Sequence, residues 1–302
     1  MKKMTMYMEQ KEVKELLAPG HRACPGCGCA LAVKLILRET GSNTIVVSAT
    51  GCLETFTSPF MGSSWEVPWI HSLFENSPAI ATGVLAALNA KGNPKGTKVV
   101  VISGDGGTYD IGMGSLSGML ERKDDILYIC YDNEAYMNTG IQGSSATPFG
   151  ADTTTTPVAG DSFGKMVPKK DLVAIALAHD APYVATASIS DPVELCKKVR
   201  KGIETPGPAV LLILTPCNLG WGFDPSETVE LARKAVETGI FPIVEFKKGE
   251  LISVKKIKPV PVEEYLKMQK RYQHLFKDDV FSEVLQAIQK SVDENILKYG
   301  LA

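Results

Sequence analysis

The sequence predicts an α/β fold: a parallel sheet with helices on both faces, followed by a C-terminal helical extension. Three observations carry this. Several short runs of β-branched and aliphatic residues are apolar throughout rather than alternating, as strands buried on both faces require. Helical patterns separate these runs, which is the alternation that builds a parallel sheet. The residues with unusual chemistry recur just after the apolar runs, where open α/β sheets bind their ligands.

The elements follow in order. Residues 44–48 read as the first strand. Residues 77–90 read as a helix of small residues, with Ser77 as its cap and Pro78 at its first position. Residues 98–103 form a continuous apolar strand that ends in Gly104-Asp105-Gly106-Gly107, and residues 111–122 a Gly-rich helix. Residues 126–131 are another buried strand, 171–179 a helix, 183–187 a strand, 192–204 a helix and 209–214 a strand. Gly51-Cys52, Gly104-Asp105-Gly106, Asp132-Asn133 and Cys217 then stand at four strand ends on one rim.

Two stretches break the alternation. Residues 53–76 are aromatic-rich, with Phe56, Phe60, Trp65, Trp69 and Phe74. Residues 140–165 carry few charges and include Phe149, which predicts an ordered loop near a ligand or partner. Beyond Pro259, Val280, Phe281, Val284, Leu285, Ile288, Val292 and Ile296 recur at helical spacing, an amphipathic helix that packs on the domain or on a partner. The expected division is 1–245 and 246–302.

Composition narrows the function. The 302 residues carry 32 Lys+Arg and 34 Asp+Glu, a net charge of −2, so there is no strong field for nucleic acid or an anionic membrane. The longest apolar run, 78–90, is too short to span a bilayer. Lys2 and Lys3 are not followed by a signal-peptide core, and a cytoplasmic chain is expected. Seven cysteines (24, 27, 29, 52, 130, 196 and 217) in a reducing compartment point to metal or redox chemistry rather than disulfides.

Gly104-Asp105-Gly106 and Asn133 form the first constellation. Glycines at a strand-to-helix turn let backbone N–H groups approach a phosphate. An aspartate there is unfavourable unless a cation lies between it and the phosphate. Mg²⁺ is the natural one, since it takes one or two carboxylates together with phosphate oxygens. Asn133 and the Ala135 carbonyl can add oxygens. There is neither a Gly-x-x-x-x-Gly-Lys-Ser/Thr loop nor a Gly-x-Gly-x-x-Gly turn.

Cys24-Pro-Gly-Cys27 is the second constellation. Two thiolates at this spacing grip one metal ion or one cluster edge. No second close pair of Cys or His completes a zinc knuckle, and the residues before Cys24 do not read as the strand of a thioredoxin-like site. A cluster held by this pair and two distant cysteines, a zinc ion, and unliganded thiols all remain open. Cys130 and Cys196 read as small core hydrophobes. Cys29 is either a spare thiol or the fourth ligand.

Cys24-Pro-Gly-Cys27, Thr50-Gly-Cys52, Ser72-Leu-Phe-Glu75, Gly104-Asp-Gly-Gly-Thr-Tyr-Asp-Ile-Gly112, Asp132-Asn-Glu-Ala-Tyr-Met-Asn-Thr-Gly140 and Thr147-Pro-Phe-Gly-Ala occur in this order. Through them the chain resembles the β subunit of pyruvate:ferredoxin oxidoreductases, within the 2-oxoacid:ferredoxin oxidoreductase family. The resemblance spans about residues 16–225 and implies a thiamin-diphosphate-binding fold that carries one [4Fe–4S] cluster. The implied cluster ligands are Cys24, Cys27, Cys52 and Cys217. Mg²⁺ would be held by Asp105, the Asn133 side chain and the Ala135 carbonyl, with both diphosphate groups. Asn138 would lie beside the reacting thiazolium carbon. Thr50, Gly51, Gly104, Gly106 and Gly107 would also contact the cofactor. Some members have Thr where this chain has Asn133. Roles for Glu54, His71 and Glu75 are left open.

The implied activity is oxidative decarboxylation of pyruvate to acetyl-CoA and CO₂, with electrons passed through the cluster to ferredoxin. The implied partners are α and γ subunits and a ferredoxin-like δ subunit. The same machinery acting on a branched-chain 2-oxoacid, 2-oxoglutarate or oxalate is the nearest alternative. A cluster-bearing electron-transfer module without catalysis, and a zinc-stabilised decarboxylase, are the others.

Overall fold

The computed structural model describes residues 15–59, 62–277 and 279–302; Lys2, Lys3 and Phe60 lie outside these. The strands are β1 (Thr44–Ala49), β2 (Trp69–Ser72), β3 (Lys98–Gly104), β4 (Ile126–Asp132), β5 (Val158–Ala159), β6 (Ser162–Phe163), β7 (Tyr183–Ser188), β8 (Ala209–Leu214), β9 (Val244–Lys247) and β10 (Glu250–Val254). The helices are α1 (Gly28–Thr40), α2 (Cys52–Thr57), α3 (Ser77–Ala90), α4 (Met113–Glu121), α5 (Leu172–Ala178), α6 (Pro192–Glu204), α7 (Asn218–Trp221), α8 (Thr228–Glu237), α9 (Glu263–Leu266) and α10 (Ser282–Tyr299).

Eight strands form one sheet in the order β10-β9-β7-β8-β4-β3-β1-β2. The six from β7 to β2 are parallel, while β9 runs antiparallel to β7 and β10 antiparallel to β9. β5 and β6 make a small hairpin inside the 140–165 loop, where Phe149 meets Phe163 edge-on.

Alternation on β4 builds two cores at once. Ile126, Tyr128 and Cys130 face a layer that holds Ala81 of α3, Leu116 and Met119 of α4 and Leu172 of α5. Leu127, Ile129 and Tyr131 face Ala32, Val33 and Ile36 of α1 and Leu195 and Val199 of α6. This is why the strands read as unbroken apolar runs. Asp171 and Asp191 cap α5 and α6, accepting the Ala174 and Glu194 backbone N–H groups at 2.9 and 3.0 Å. The cap of α3 is Asn76 rather than Ser77, which is the first helical residue.

The expected boundary between 245 and 246 falls within β9, and β10 extends the same sheet. Val284, Ile288 and Val292 of α10 enter the core that the α3 face of the sheet forms. Val280, expected on that apolar stripe, is instead 76% exposed before the helix begins. The stripe is set by the spacing of four between 284, 288 and 292, and 280 precedes the helical turn that would align it.

The aromatic stretch 53–76 supplies α2 and the parallel edge strand β2. Trp65 and Trp69 stack at 5.6 Å, and the indole N–H of Trp69 donates to Ser48 Oγ at 2.8 Å.

Candidate active site at the carboxyl rim of the sheet

The carboxyl ends of the adjacent strands β8, β4, β3 and β1 lie side by side. They deliver Cys217, Asn133, Asp105 and Thr50–Cys52 to one rim. Thr50, Gly51, Cys52, Gly104, Asp105, Gly106, Gly107, Asn133, Ala135 and Asn138 line one narrow cleft. Sequence reasoning missed its other walls, Phe74, Tyr131, Tyr136, Met137 and Thr139. A larger, mostly apolar cavity lies between α10 and the sheet, and none of the expected site residues lines it.

The turn after β3 is close-packed. A Cβ on Gly106 would lie 2.2 Å from the Tyr136 ring, and one on Gly107 would lie 2.9 Å from Ser103 Oγ and 3.0 Å from the Phe74 carbonyl. The helix expected at 111–122 begins earlier, as a π-helical turn over Gly106–Asp110, and continues as α4. Such turns widen a helix and recur at functional sites. Tyr136 spans the turn, its hydroxyl 3.2 Å from both Asp110 Oδ2 and the Gly106 carbonyl. Gly106→Ala is therefore expected to weaken thiamin diphosphate binding about tenfold or more, since overpacking costs about 1–3 kcal/mol. Gly114→Ala on α4, where a Cβ meets nothing within 4 Å, should leave binding unchanged. A cofactor titration followed by tryptophan fluorescence checks the pair.

Three oxygens converge in the cleft. Asp105 is buried and accepts the Ser144 hydroxyl at Oδ2, 2.6 Å away. The Asn133 amide oxygen faces Asp105 Oδ1 and the Ala135 carbonyl, both acceptors; turned over, the amide would place its nitrogen there and donate to each at 2.8 Å. Three acceptors facing one another need either that turned-over amide or a cation among them, and a cation is what would hold three oxygens together. Metal–oxygen distances of 2.0–2.1 Å in an octahedron put neighbouring ligand oxygens about 2.9 Å apart. The donor set thus fits Mg²⁺. Burial, reinforced by the nearby Asp132, holds the Asp105 carboxyl well above the usual carboxylate range. Lys169 does not relieve it by direct contact, because its Nζ goes to Asp132 Oδ2 at 2.5 Å and Glu134 Oε1 at 2.9 Å. Burial pushes Asp132 up to about 6 against the opposing pull of that lysine.

The cysteines gather next to this cleft. Cys27 caps α1, Cys52 opens α2 and Cys217 caps α7. Helix N-termini favour anionic sulfur. Cys217 Sγ accepts the Gly220 backbone N–H at 3.4 Å. Gly28 lets α1 approach the end of β8, since a Cβ there would lie 2.8 Å from the Pro216 carbonyl; Gly26, at φ +71, would clash with Pro225. Burial pushes the Cys52 thiol up to about 12, and Cys217, Cys27 and Cys24 reinforce this. Burial also raises Cys27 and Cys217. Among the described residues no three His, Cys, Asp or Glu are grouped as a single metal ion would need. Cys24 is exposed, whereas Cys29 is 3% exposed on the core face of α1. Cys130 is fully buried in β4, and Cys196 is only half-buried, against the second core.

At the outer edge, Thr50 Oγ1 donates to the Ser72 carbonyl at 3.1 Å and lies 2.8 Å from His71 Nε2, an exposed ring stacked on Trp69. Glu54 accepts the Ser58 hydroxyl at 2.9 Å within α2. Asn138 is exposed at the lip of the cleft.

Residues 49–213 match the family described as "Thiamine pyrophosphate enzyme, C-terminal TPP binding domain". The chain thus carries the cofactor-binding domain of a thiamin-diphosphate enzyme, and the cleft lined by Thr50 to Thr139 lies within it, while Cys24, Cys27 and Cys217 lie outside it. Pyruvate synthase subunit PorB of Methanosarcina barkeri is 52% identical over 295 residues, covering 97% of this chain and all of that one. Ketoisovalerate oxidoreductase subunit VorB of Pyrococcus abyssi is 43% identical over 274 residues, covering 88% of each. A solved 2-oxoglutarate:ferredoxin oxidoreductase from Magnetococcus marinus shares the fold at a TM-score of 0.59 and 23% identity, over 75% of this chain and 81% of that one. The chain belongs to the 2-oxoacid:ferredoxin oxidoreductase family, as its β subunit.

Proposed function

We propose that the chain is the catalytic β subunit of a pyruvate:ferredoxin oxidoreductase, converting pyruvate and coenzyme A to acetyl-CoA and CO₂ and delivering two electrons to ferredoxin. The observation that carries this reading is that four neighbouring strand ends bring together the Asp105–Asn133–Ala135 oxygens, Cys52 and Cys217, with Cys24 and Cys27 of the segment that enters α1 near enough to act on the Cys52 thiol. Decarboxylation of a 2-oxoacid needs an electron sink that no side chain provides, and thiamin diphosphate is one.

In this reading Asp105, the Asn133 side chain and the Ala135 carbonyl hold Mg²⁺ on the diphosphate. Gly104, Gly106 and Gly107 admit its oxygens to the backbone. Thr50 and Gly51 floor the cleft, and Asn138 orients the reacting end. Cys24, Cys27, Cys52 and Cys217 hold a [4Fe–4S] cluster, with Cys29 left in the core. Residues 1–245 carry both cofactors, and 246–302 buttress them and meet a partner. The relatives are named as subunits, which supports assembly with α, γ and ferredoxin-like δ chains. The seven unpaired cysteines suit a cytoplasmic location, and among the described residues no helix is long and apolar enough to cross a membrane.

PorB relatives at up to 53% identity favour pyruvate, while the VorB relative keeps a branched-chain acid as the second reading. Anaerobic assay of the purified complex with a viologen dye tests both. Pyruvate with coenzyme A is expected to reduce the dye fastest. Faster reduction by 2-oxoisovalerate, 2-oxoglutarate or oxalate would reassign the substrate.

A further inference from the structure

Behind the three converging oxygens lies a buried set of charges contributed partly by the 3₁₀ segment Lys270–Phe276. We propose that Arg271 is a positioning residue for the cation site, holding residues 132–135 so that the Asn133 side chain and the Ala135 carbonyl face Asp105. The proposal rests on the reading of those oxygens as a Mg²⁺ site.

Glu134 stands between the two residues that supply those oxygens. Its φ is +67, a left-handed conformation that residues with a Cβ rarely adopt. Something must hold it there. The Glu134 backbone N–H donates to Asp132 Oδ1 at 3.1 Å, and its carbonyl accepts the Thr147 hydroxyl at 2.7 Å. Its buried carboxylate accepts Arg271 Nη2 at 2.6 Å and Lys169 Nζ at 2.9 Å. Arg271 is itself fixed. Its Nε donates to Gln269 Oε1 at 2.7 Å, and its Nη2 lies 3.3 Å from Tyr265 Oη. Its guanidinium lies 3.8 Å from the centre of the Trp221 ring. The Trp221 indole N–H in turn donates to the Asn133 carbonyl at 2.8 Å. Arg271 therefore grips the loop at two consecutive residues: Glu134 through its carboxylate, and Asn133 through Trp221.

A role as mere charge predicts the opposite sign. Two acids, Asp132 and Glu134, face two bases, Lys169 and Arg271. As a cation near a cation site, Arg271 repels Mg²⁺, so its loss would tighten binding. As a positioning group its loss loosens binding. Lysine keeps the charge but has no planar fork to serve Gln269, Tyr265 and Glu134 together and no flat face for Trp221.

The test uses the purified complex, stripped of Mg²⁺ and thiamin diphosphate. Mg²⁺ is titrated at fixed thiamin diphosphate by calorimetry, with the unfolding midpoint recorded. Arg271→Lys is expected to need at least about tenfold more Mg²⁺, the range found when an outer partner of a metal ligand is lost. Trp221→Phe keeps a ring beneath the guanidinium and removes only the N–H to Asn133. It is expected to weaken Mg²⁺ binding severalfold, and it decides the matter if Arg271→Lys does not fold. Unchanged or tighter Mg²⁺ binding in a folded variant overturns the inference alone. Absence of Mg²⁺-dependent cofactor binding in the wild type overturns the underlying reading as well.

Discussion

Asp105→Asn is expected to abolish Mg²⁺-dependent thiamin diphosphate binding and, at the same time, to make the cofactor-free chain more heat-stable. The two effects share one cause. The carboxyl is buried, sits near Asp132 and, among the described residues, has no basic side chain bonded to it. Burial of a charge in that position costs free energy until a cation arrives. Asparagine has the same shape and keeps an acceptor for the Ser144 hydroxyl, and its amide nitrogen can donate to the Asn133 amide oxygen that faces it. The charge that destabilises the empty site is removed, and the charge that recruits Mg²⁺ goes with it. Loss of an outer-shell partner alone costs about 10–100-fold in metal affinity, so loss of a carboxylate ligand should exceed about 100-fold. A gain of about 1 kcal/mol in the cofactor-free chain corresponds to a rise of roughly 2 °C. Calorimetry with Mg²⁺ and thiamin diphosphate reads the first effect, and scanning fluorimetry of the stripped complex reads the second. Retained binding would remove Asp105 from the cation site. A lowered melting temperature with lost binding would mean that the residue acts chiefly as a structural hydrogen-bonding group.

The parts of this site that sequence reveals and hides differ for physical reasons. β3, β4 and β8 are legible because two-sided burial leaves uninterrupted apolar runs, and their ends are marked by residues that no core would choose. β2 is hidden, since four residues on a sheet edge, Trp69–Ser72, with Ile70 and His71 exposed, carry no burial pattern. β9 and β10 are hidden likewise: β10 is almost wholly exposed, and an antiparallel edge leaves no unbroken apolar run. Gly104, Asp105, Asn133 and Ala135 sit in short motifs. Ser144 and Lys169 do not: they reach Asp105 and Asp132 across 39 and 37 residues of chain, through contacts that no local periodicity encodes. Arg271 is more remote still, 137 residues from Glu134. The left-handed turn at Glu134 is silent in sequence because glutamate is an unusual residue for it.

Cys217→Ser and Cys29→Ser are expected to part the cluster from the core. Cys217 caps α7, where its sulfur takes the Gly220 N–H near the other rim thiols. Serine is also a good helix cap, so the local fold is spared. Its hydroxyl, however, is a hard oxygen ligand where iron–sulfur chemistry wants soft thiolate. Cys217→Ser should therefore lose most of its iron, sulfide and brown absorbance, with little change in the melting temperature of the cluster-free chain. Cys29 lies on the apolar side of α1 among Ala32, Val33 and Ile36. Burial, reinforced by Cys27, Cys52 and Cys217, pushes its thiol well above its usual range, and it is its 3% exposure among these aliphatic side chains that marks it as a core hydrophobe. A hydroxyl there without a partner costs about 1–3 kcal/mol, so Cys29→Ser should melt lower while keeping its iron. The reverse pattern, iron lost from Cys29→Ser and kept in Cys217→Ser, would move the fourth ligand from the end of β8 to the first turn of α1.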